Sequence, residues 1–201
     1  MSLEKINIRN SVLVLMILLA AAARFIHLDN QNFWANFTPV GAVSLFGGAY
    51  FTDKKKAYLV PLLTLFLSDL LINYLYFHHF AWFYVGSVWI YVSFALMVYI
   101  GTLIPKINVA NVALASLASV LVHWLLTDID PWLYGTLYDK SFVGYFQSLF
   151  AAIPFERSLL LGNFVYGFIL FGGFELAKRK FPVLNTNALR RDVACNVSTI
   201  N

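Results

Sequence analysis

Charged residues are scarce in this chain and cysteine is almost absent. Of the 201 residues only 12% are charged and 60% are hydrophobic, and the mean hydropathy is +0.72. Soluble domains carry about 25% charged residues, so the composition excludes an ordinary soluble globule and a disordered chain. The single cysteine, Cys195, excludes an intrachain disulfide and a cysteine-based metal site. We therefore expect an all-α membrane protein that crosses the bilayer several times.

Six apolar stretches, separated by polar loops, predict transmembrane helices. They cover residues 11–28, 38–52, 57–77, 81–104, 109–127 and 157–177. Residues 1–182 are then a single transmembrane bundle, and the polar residues 183–201 are a disordered tail.

Lysine and arginine fall beside alternate loops, which predicts the topology. Basic residues near the ends of spans remain in the cytoplasm. They precede the first predicted span and follow the second, fourth and sixth (Lys5, Arg9, Lys54, Lys55, Lys56, Lys106, Lys178, Arg179, Lys180). Six spans with both termini in the cytoplasm satisfy every cluster, and the net charge of +4 therefore indicates topology rather than binding of nucleic acid. A cleaved signal peptide is the alternative for the first apolar run, but the even number of spans favours a retained helix.

The apolar residues 141–153 number only thirteen before Pro154, whereas a full span needs about 17–25 residues. We predict that this stretch is an interfacial or re-entrant helix on the outer side, which does not cross the membrane. Together with the loop 29–38 it would close over the outer end of the bundle.

Polar residues inside the predicted spans lie at a similar depth. A rise of about 1.5 Å per residue places all of them in the outer half of the membrane. They are Arg24, Asp69, Asn73, His123 and Asn163. Ionisable groups in spans typically line a ligand or ion pathway, and the one-sided depth favours that interpretation. The alternative is structural: Asp69 pairs with Arg24, while His123 and Asn163 form interhelical hydrogen bonds.

Two stripes of small residues indicate close approach of helix backbones. Gly41, Ser44 and Gly48 share one face of the second span, and the fifth span has a similar stripe that includes Ala115 and Ser119. Packing within the bundle is favoured over docking to a partner.

Sequence signatures of catalysis are missing. The chain contains no HExxH, no GxSxG and no Walker motif. We expect no enzyme activity, no cofactor and no metal site.

Several motifs resemble an uncharacterised family of bacterial membrane proteins described as transporters. The strongest is Asn36-Phe37-Thr38-Pro39-Val40-Gly41-Ala42, followed by Leu45-Phe46-Gly47-Gly48-Ala49-Tyr50-Phe51. Further matches are Pro61-Leu62, Ser68-Asp69-Leu70-Leu71, Ala151-Ala152-Ile153-Pro154-Phe155 and Leu160-Leu161-Gly162-Asn163. Members of that family look like the S components of energy-coupling-factor (ECF) importers, which have six helices and capture solutes from outside. The chain departs from the family pattern at Thr127-Asp128-Ile129 and at Gly162-Asn163, so the resemblance does not identify the solute.

This resemblance implies a solute-binding or transport protein in the bacterial cytoplasmic (inner) membrane, which works with an energising membrane partner. The rival hypothesis is a structural accessory subunit of a larger membrane complex, without a ligand. Asn36, which belongs to the strongest motif, and Asp128, which lies near the proposed cavity, complete the candidates. The predicted ligand-binding residues are then Arg24, Asn36, Asp69, Asn73, His123, Asp128 and Asn163.

Overall fold

The computed structural model describes residues 3–25, 36–78 and 86–185. Within these ranges the fold is all-helical and contains no β-strand, as the sequence predicts. The helices are α1 (Leu3–Ala22), α2 (Val40–Tyr50), α3 (Lys54–Phe77), α4 (Ser87–Thr102), α5 (Val109–Thr127), α6 (Ile129–Leu133), α7 (Phe142–Gly167) and α8 (Gly173–Lys180).

Local side chains define where three of the helices begin. The side chain of Asp53 accepts a hydrogen bond from the backbone N–H of Lys55 at the start of α3. Asn108 and Ser141 do the same for the first turns of α5 and α7. Such caps satisfy backbone donors that have no partner within the helix.

Four helical segments are long and apolar enough to cross a membrane. They are Ile8–Phe25, Lys54–Leu75, Val109–Leu133 and Phe142–Lys180. The apolar helices α2 and α4 are shorter, with 11 and 16 residues. Together these segments correspond to the six predicted spans, with different ends.

Parts of four predictions lie outside the described residues. They concern the end of the first span at 26–28, the outer loop at 29–35, the beginning of the fourth span at 81–85 and the tail at 186–201.

The prediction of a separate helix at 141–153 is wrong. α7 runs through Pro154 without a break, and a π-helical turn at Phe168–Gly172 joins it to α8. The result is one helix of 39 residues, roughly 58 Å long. Proline ends helices in soluble proteins but is tolerated within apolar ones, and Pro61 likewise lies inside α3.

The short helix α2 lies at the centre of the bundle and packs against α1, α3, α4, α5 and α7. Ten of its 11 residues are buried. A Cβ at Gly48 would collide with the backbone of α4 at Val98, and one at Gly41 would collide with the side chain of Asn163 in α7. The small-residue stripe of α2 is therefore used within the bundle, which confirms the favoured interpretation.

Contacts between distant residues define two ends of the bundle. At one end the Arg9 guanidinium donates to the carbonyl oxygen of Tyr50 (2.6 Å), and the Tyr50 hydroxyl donates to Glu175 (2.6 Å). The lysine-rich start of α3 and the Lys178–Lys180 cluster belong to this basic end. At the opposite end, Arg24 just after α1 pairs with Asp69 in α3, and His123 in α5 pairs with Glu156 in α7.

Candidate functional site

A cavity of about 380 Å³ lies at the end of the bundle opposite the basic end. Its apolar walls come from α2, α3, α4 and α7 (Val40, Leu65, Ile90, Phe94, Ala152, Phe155, Leu159). Its polar lining is Arg24, Asn36, Thr38, Asp69, His123, Thr127, Asp128 and Glu156. Five of the seven predicted ligand-binding residues are in this lining.

Arg24 and Asp69 form an ion pair on one side of the cavity. Arg24 Nη2 lies 2.7 Å from Asp69 Oδ1, and its Nη1 donates to the hydroxyl of Ser68. The Tyr91 hydroxyl donates to the other Asp69 oxygen over 3.5 Å. The side chains of the pair are 13% and 18% exposed. The pairing of Asp69 with Arg24, which the structural alternative predicts, is present, and it connects the segment after α1 to α3.

His123 and Glu156 form a second pair, which joins α5 to α7. His123 Nδ1 lies 2.9 Å from Glu156 Oε1, and the ring of Phe94 contacts the imidazole edge-on with centroids 5.5 Å apart. Glu156 is 7% exposed, and its second oxygen, Oε2, is buried without a hydrogen-bond partner among the described residues. A buried polar atom without a partner costs free energy, so this oxygen has unused capacity to accept a hydrogen bond.

Asp128 stands at the end of α5, beside the cavity. The Ser148 hydroxyl of α7 donates to its Oδ1 (3.1 Å). The neighbouring Thr127 hydroxyl bonds back to the carbonyl oxygen of His123 (2.8 Å). The polar groups of this wall are thus held by α5 and α7 together.

Two predicted residues do not line the cavity. Asn163 is fully buried between helices, where its Nδ2 donates to the Ser119 hydroxyl (3.3 Å) and its side chain fills the space left by Gly41. Asn73 lies one turn beyond Asp69 and is half-buried. Of the predicted interhelical hydrogen bonds, those of His123 and Asn163 are both present.

Sequence reasoning missed Glu156, Thr38 and Thr127 as lining residues. Glu156 lies just before the predicted last span at 157–177, because the sequence predicts that Pro154 ends a helix. The signal that could have found it is its spacing from Asn163 along one continuous helix.

The arrangement suits a small organic molecule. Ligand cavities typically measure about 300–1,000 Å³ and combine apolar walls with a few oriented polar groups. No group of three or more histidine, cysteine, aspartate or glutamate side chains within the described residues is arranged to hold a metal ion.

A model of a family of unknown function (DUF6580) matches residues 4–184, and the chain belongs to this family. No curated protein matches the chain, and neither does any solved structure.

Proposed function

We propose that this family member is a membrane protein that captures a small solute in the cavity and delivers it to a transport system. The observation that supports this function is the cavity itself, in which charged residues from the end of α1, from α3, from α5 and from α7 surround unfilled space. Ionisable groups within membrane helices are costly, and they typically mark a ligand or ion pathway.

The proposed topology has six crossings, with both termini in the cytoplasm of the bacterial cytoplasmic membrane. In this topology the four long helices cross the membrane, and the shorter helices α2 and α4 complete the six crossings together with the residues that flank them. The basic end then faces the cytoplasm, and the cavity faces outward. An impermeant thiol reagent tests this orientation in intact cells, in a Cys195→Ser background. Leu137→Cys should be labelled from outside and Lys55→Cys should not; labelling of Lys55→Cys would overturn the orientation.

The resemblance to S components of ECF importers supports a partner protein as part of the proposal. The sequence contains no Walker motif, so we propose that an energising membrane module drives release of the solute. The solute-binding chain and this module would associate in the bilayer.

A structural accessory subunit is the second candidate function. Asn163, which is fully buried and bonded to Ser119, joins α5 and α7 without contributing to the cavity. In that case the Arg24–Asp69 and His123–Glu156 pairs would serve the same purpose of fixing helix positions.

Native mass spectrometry of gently purified protein distinguishes the two functions. Solute binding predicts a retained small molecule in the wild type. Asp69→Asn keeps the side-chain volume, so the protein should fold while the retained molecule is lost. Asp53→Asn is the matched control, because it lies in the same helix at the basic end and asparagine also caps helices well. A wild type without any bound molecule, together with a stoichiometric protein partner, would favour the accessory subunit.

A further inference from the structure

We infer that the solute carries a positively charged nitrogen, such as an ammonium group, and that Glu156 and Asp128 bind it. This inference rests on the proposed function and names the chemical class of its substrate.

The charge balance of the cavity supports a cation. Among the described residues, three carboxylates (Asp69, Asp128, Glu156) and one guanidinium (Arg24) line it. Their formal sum is −2 when His123 is neutral and −1 when it is protonated. Within a low-dielectric cavity such an excess repels an anion and attracts a cation far more strongly than in water.

The one guanidinium among the described lining residues is engaged through both of its terminal nitrogens. Arg24 binds Asp69 Oδ1 through one of them and Ser68 through the other, and its inner nitrogen, Nε, has no partner among the described residues. An anionic solute would have to compete with the Asp69 carboxylate for it. The positive charge in the cavity is therefore balanced before any solute enters.

Two of the carboxylates, in contrast, have spare acceptor capacity. Glu156 Oε2 has no partner among the described residues, although Glu156 is 93% buried (7% exposed). The Asp128 carboxylate receives the neutral hydroxyl of Ser148 but no ion pair among the described residues. A carboxylate accepts up to about four hydrogen bonds, and an ammonium group offers three donors. A cationic nitrogen thus supplies what these oxygens lack.

The remaining wall suits an organic cation better than a bare metal ion. The volume of about 380 Å³ exceeds that of an ion, and Phe94 and Phe155 contribute aromatic side chains to the lining. Aromatic faces attract organic cations. Within the described ranges there is also no metal-ligand cluster of three or more residues.

Matched probes that differ only in charge test this inference. The aromatic series is phenethylamine, 2-phenylethanol and phenylacetate; the aliphatic series is pentylamine, pentan-1-ol and pentanoate. Binding of each to the purified full-length protein is measured by calorimetry, and any retained solute is identified by mass spectrometry. We expect the amine to bind at least about tenfold more tightly than the alcohol, because hydrogen bonds to charged groups add this much. The carboxylate should bind least.

Glu156→Gln tests the residue. Glutamine keeps the shape and an acceptor for His123 but removes the charge, so the preference for the amine over the alcohol should fall about tenfold. Glu175→Gln is the matched control, because it is the same change in the same continuous helix at the basic end. It should leave the preference unchanged.

The outcomes are distinct. A cationic retained solute, or a preference for the amine that depends on Glu156, supports the inference. Equal binding of amine and alcohol, or a preference for the carboxylate, overturns the inference and leaves the proposed function intact. The absence of any retained solute and of any probe binding overturns both.

A comparison of two lipids identifies whether the bound ammonium group comes from a lipid headgroup or from a free solute. The protein is placed in nanodiscs of phosphatidylethanolamine or of phosphatidylglycerol. A lipid headgroup would compete with the amine probe only in phosphatidylethanolamine.

Discussion

The basic end and the cavity end of the bundle contain similar residues but use them differently. At the basic end, the rings of Tyr50 and Phe174 lie 4.6 Å apart and Phe46 packs against both. Lys178 lies over the same rings and also pairs with Glu175 (2.7 Å). At the cavity end, ion pairs line a space of about 380 Å³ that none of the described side chains fills.

This difference shows that buried charge alone does not identify a binding site. Arg9 is as buried as Asp128 and Glu156, at 7% exposure, yet its guanidinium lies over the ring of Phe174 and donates to the carbonyl oxygen of Tyr50. What distinguishes the cavity end is unfilled space beside a carboxylate oxygen, Glu156 Oε2, that has no partner in the described part of the chain. The four predictions below test this contrast, in order of decreasing expected effect.

The largest effect is expected for Arg24→Gln. It leaves the Asp69 carboxylate buried with only a weak partner in Tyr91, and breaking a buried ion pair costs about 3 kcal/mol. Reversible unfolding in mixed micelles measures the loss. Arg179→Gln, at an exposed position of the basic end, is the matched control and should change little. Equal stability of the two variants would mean that Asp69 is solvated by water.

Gly48→Ala should lower stability by about 1–3 kcal/mol, as overpacking typically does. The new Cβ would collide with the backbone of α4 at Val98, so the helices must separate. Because α2 connects the two ends, both solute binding and the unfolding free energy should fall. Gly167→Ala is the control, since nothing lies within 4 Å of its Cβ position. A fully stable Gly48→Ala variant would contradict the close contact.

Tyr50→Phe removes the hydroxyl that donates to Glu175 (2.6 Å) at the basic end. The expected loss is about 1 kcal/mol, without any change in solute binding. The same unfolding assay measures the loss, and Tyr99→Phe, at a half-exposed position, should be neutral. A loss of solute binding in Tyr50→Phe would show that the two ends are coupled.

The smallest effects on stability compare two glutamates. Glu175→Gln weakens a partly exposed pair with Lys178 and should cost about 0.5 kcal/mol. Glu156→Gln keeps an acceptor for His123 and removes the oxygen that has no partner among the described residues, so its stability should change by less than about 0.5 kcal/mol. Melting temperatures of both variants provide the comparison. A large loss in Glu156→Gln alone would mean that this carboxylate is structural.

Much of the fold could be predicted because apolar periodicity and basic clusters act along the chain. The helical class, the six apolar segments and the pairing of Arg24 with Asp69 all follow from spacing and depth. The ligand-binding role of the seven candidates stays a prediction. Depth gives the level of a residue in the bundle but not the direction in which it points. Asn163 therefore appeared equivalent to His123, although it packs against Gly41 instead.

The continuous helix could not be predicted because its interruption depends on the surroundings. Pro154 ends a helix where water can take up the freed backbone carbonyl, but neighbouring helices remove that advantage. The central position of α2 was equally hidden, since its sequence is apolar on all sides and resembles any other span. Only the tertiary contacts distinguish it.

The π-helical turn at Phe168–Gly172 determines the direction in which Glu175 points from the long helix relative to Glu156. Such a turn holds about one residue more than an α-helical turn, so all that follows is rotated back by about 100°. Deleting one residue there would restore uniform winding and swing Glu175 away from Tyr50. Because of this turn, one continuous helix can direct Glu156 toward the cavity and Glu175 toward Tyr50 at the basic end.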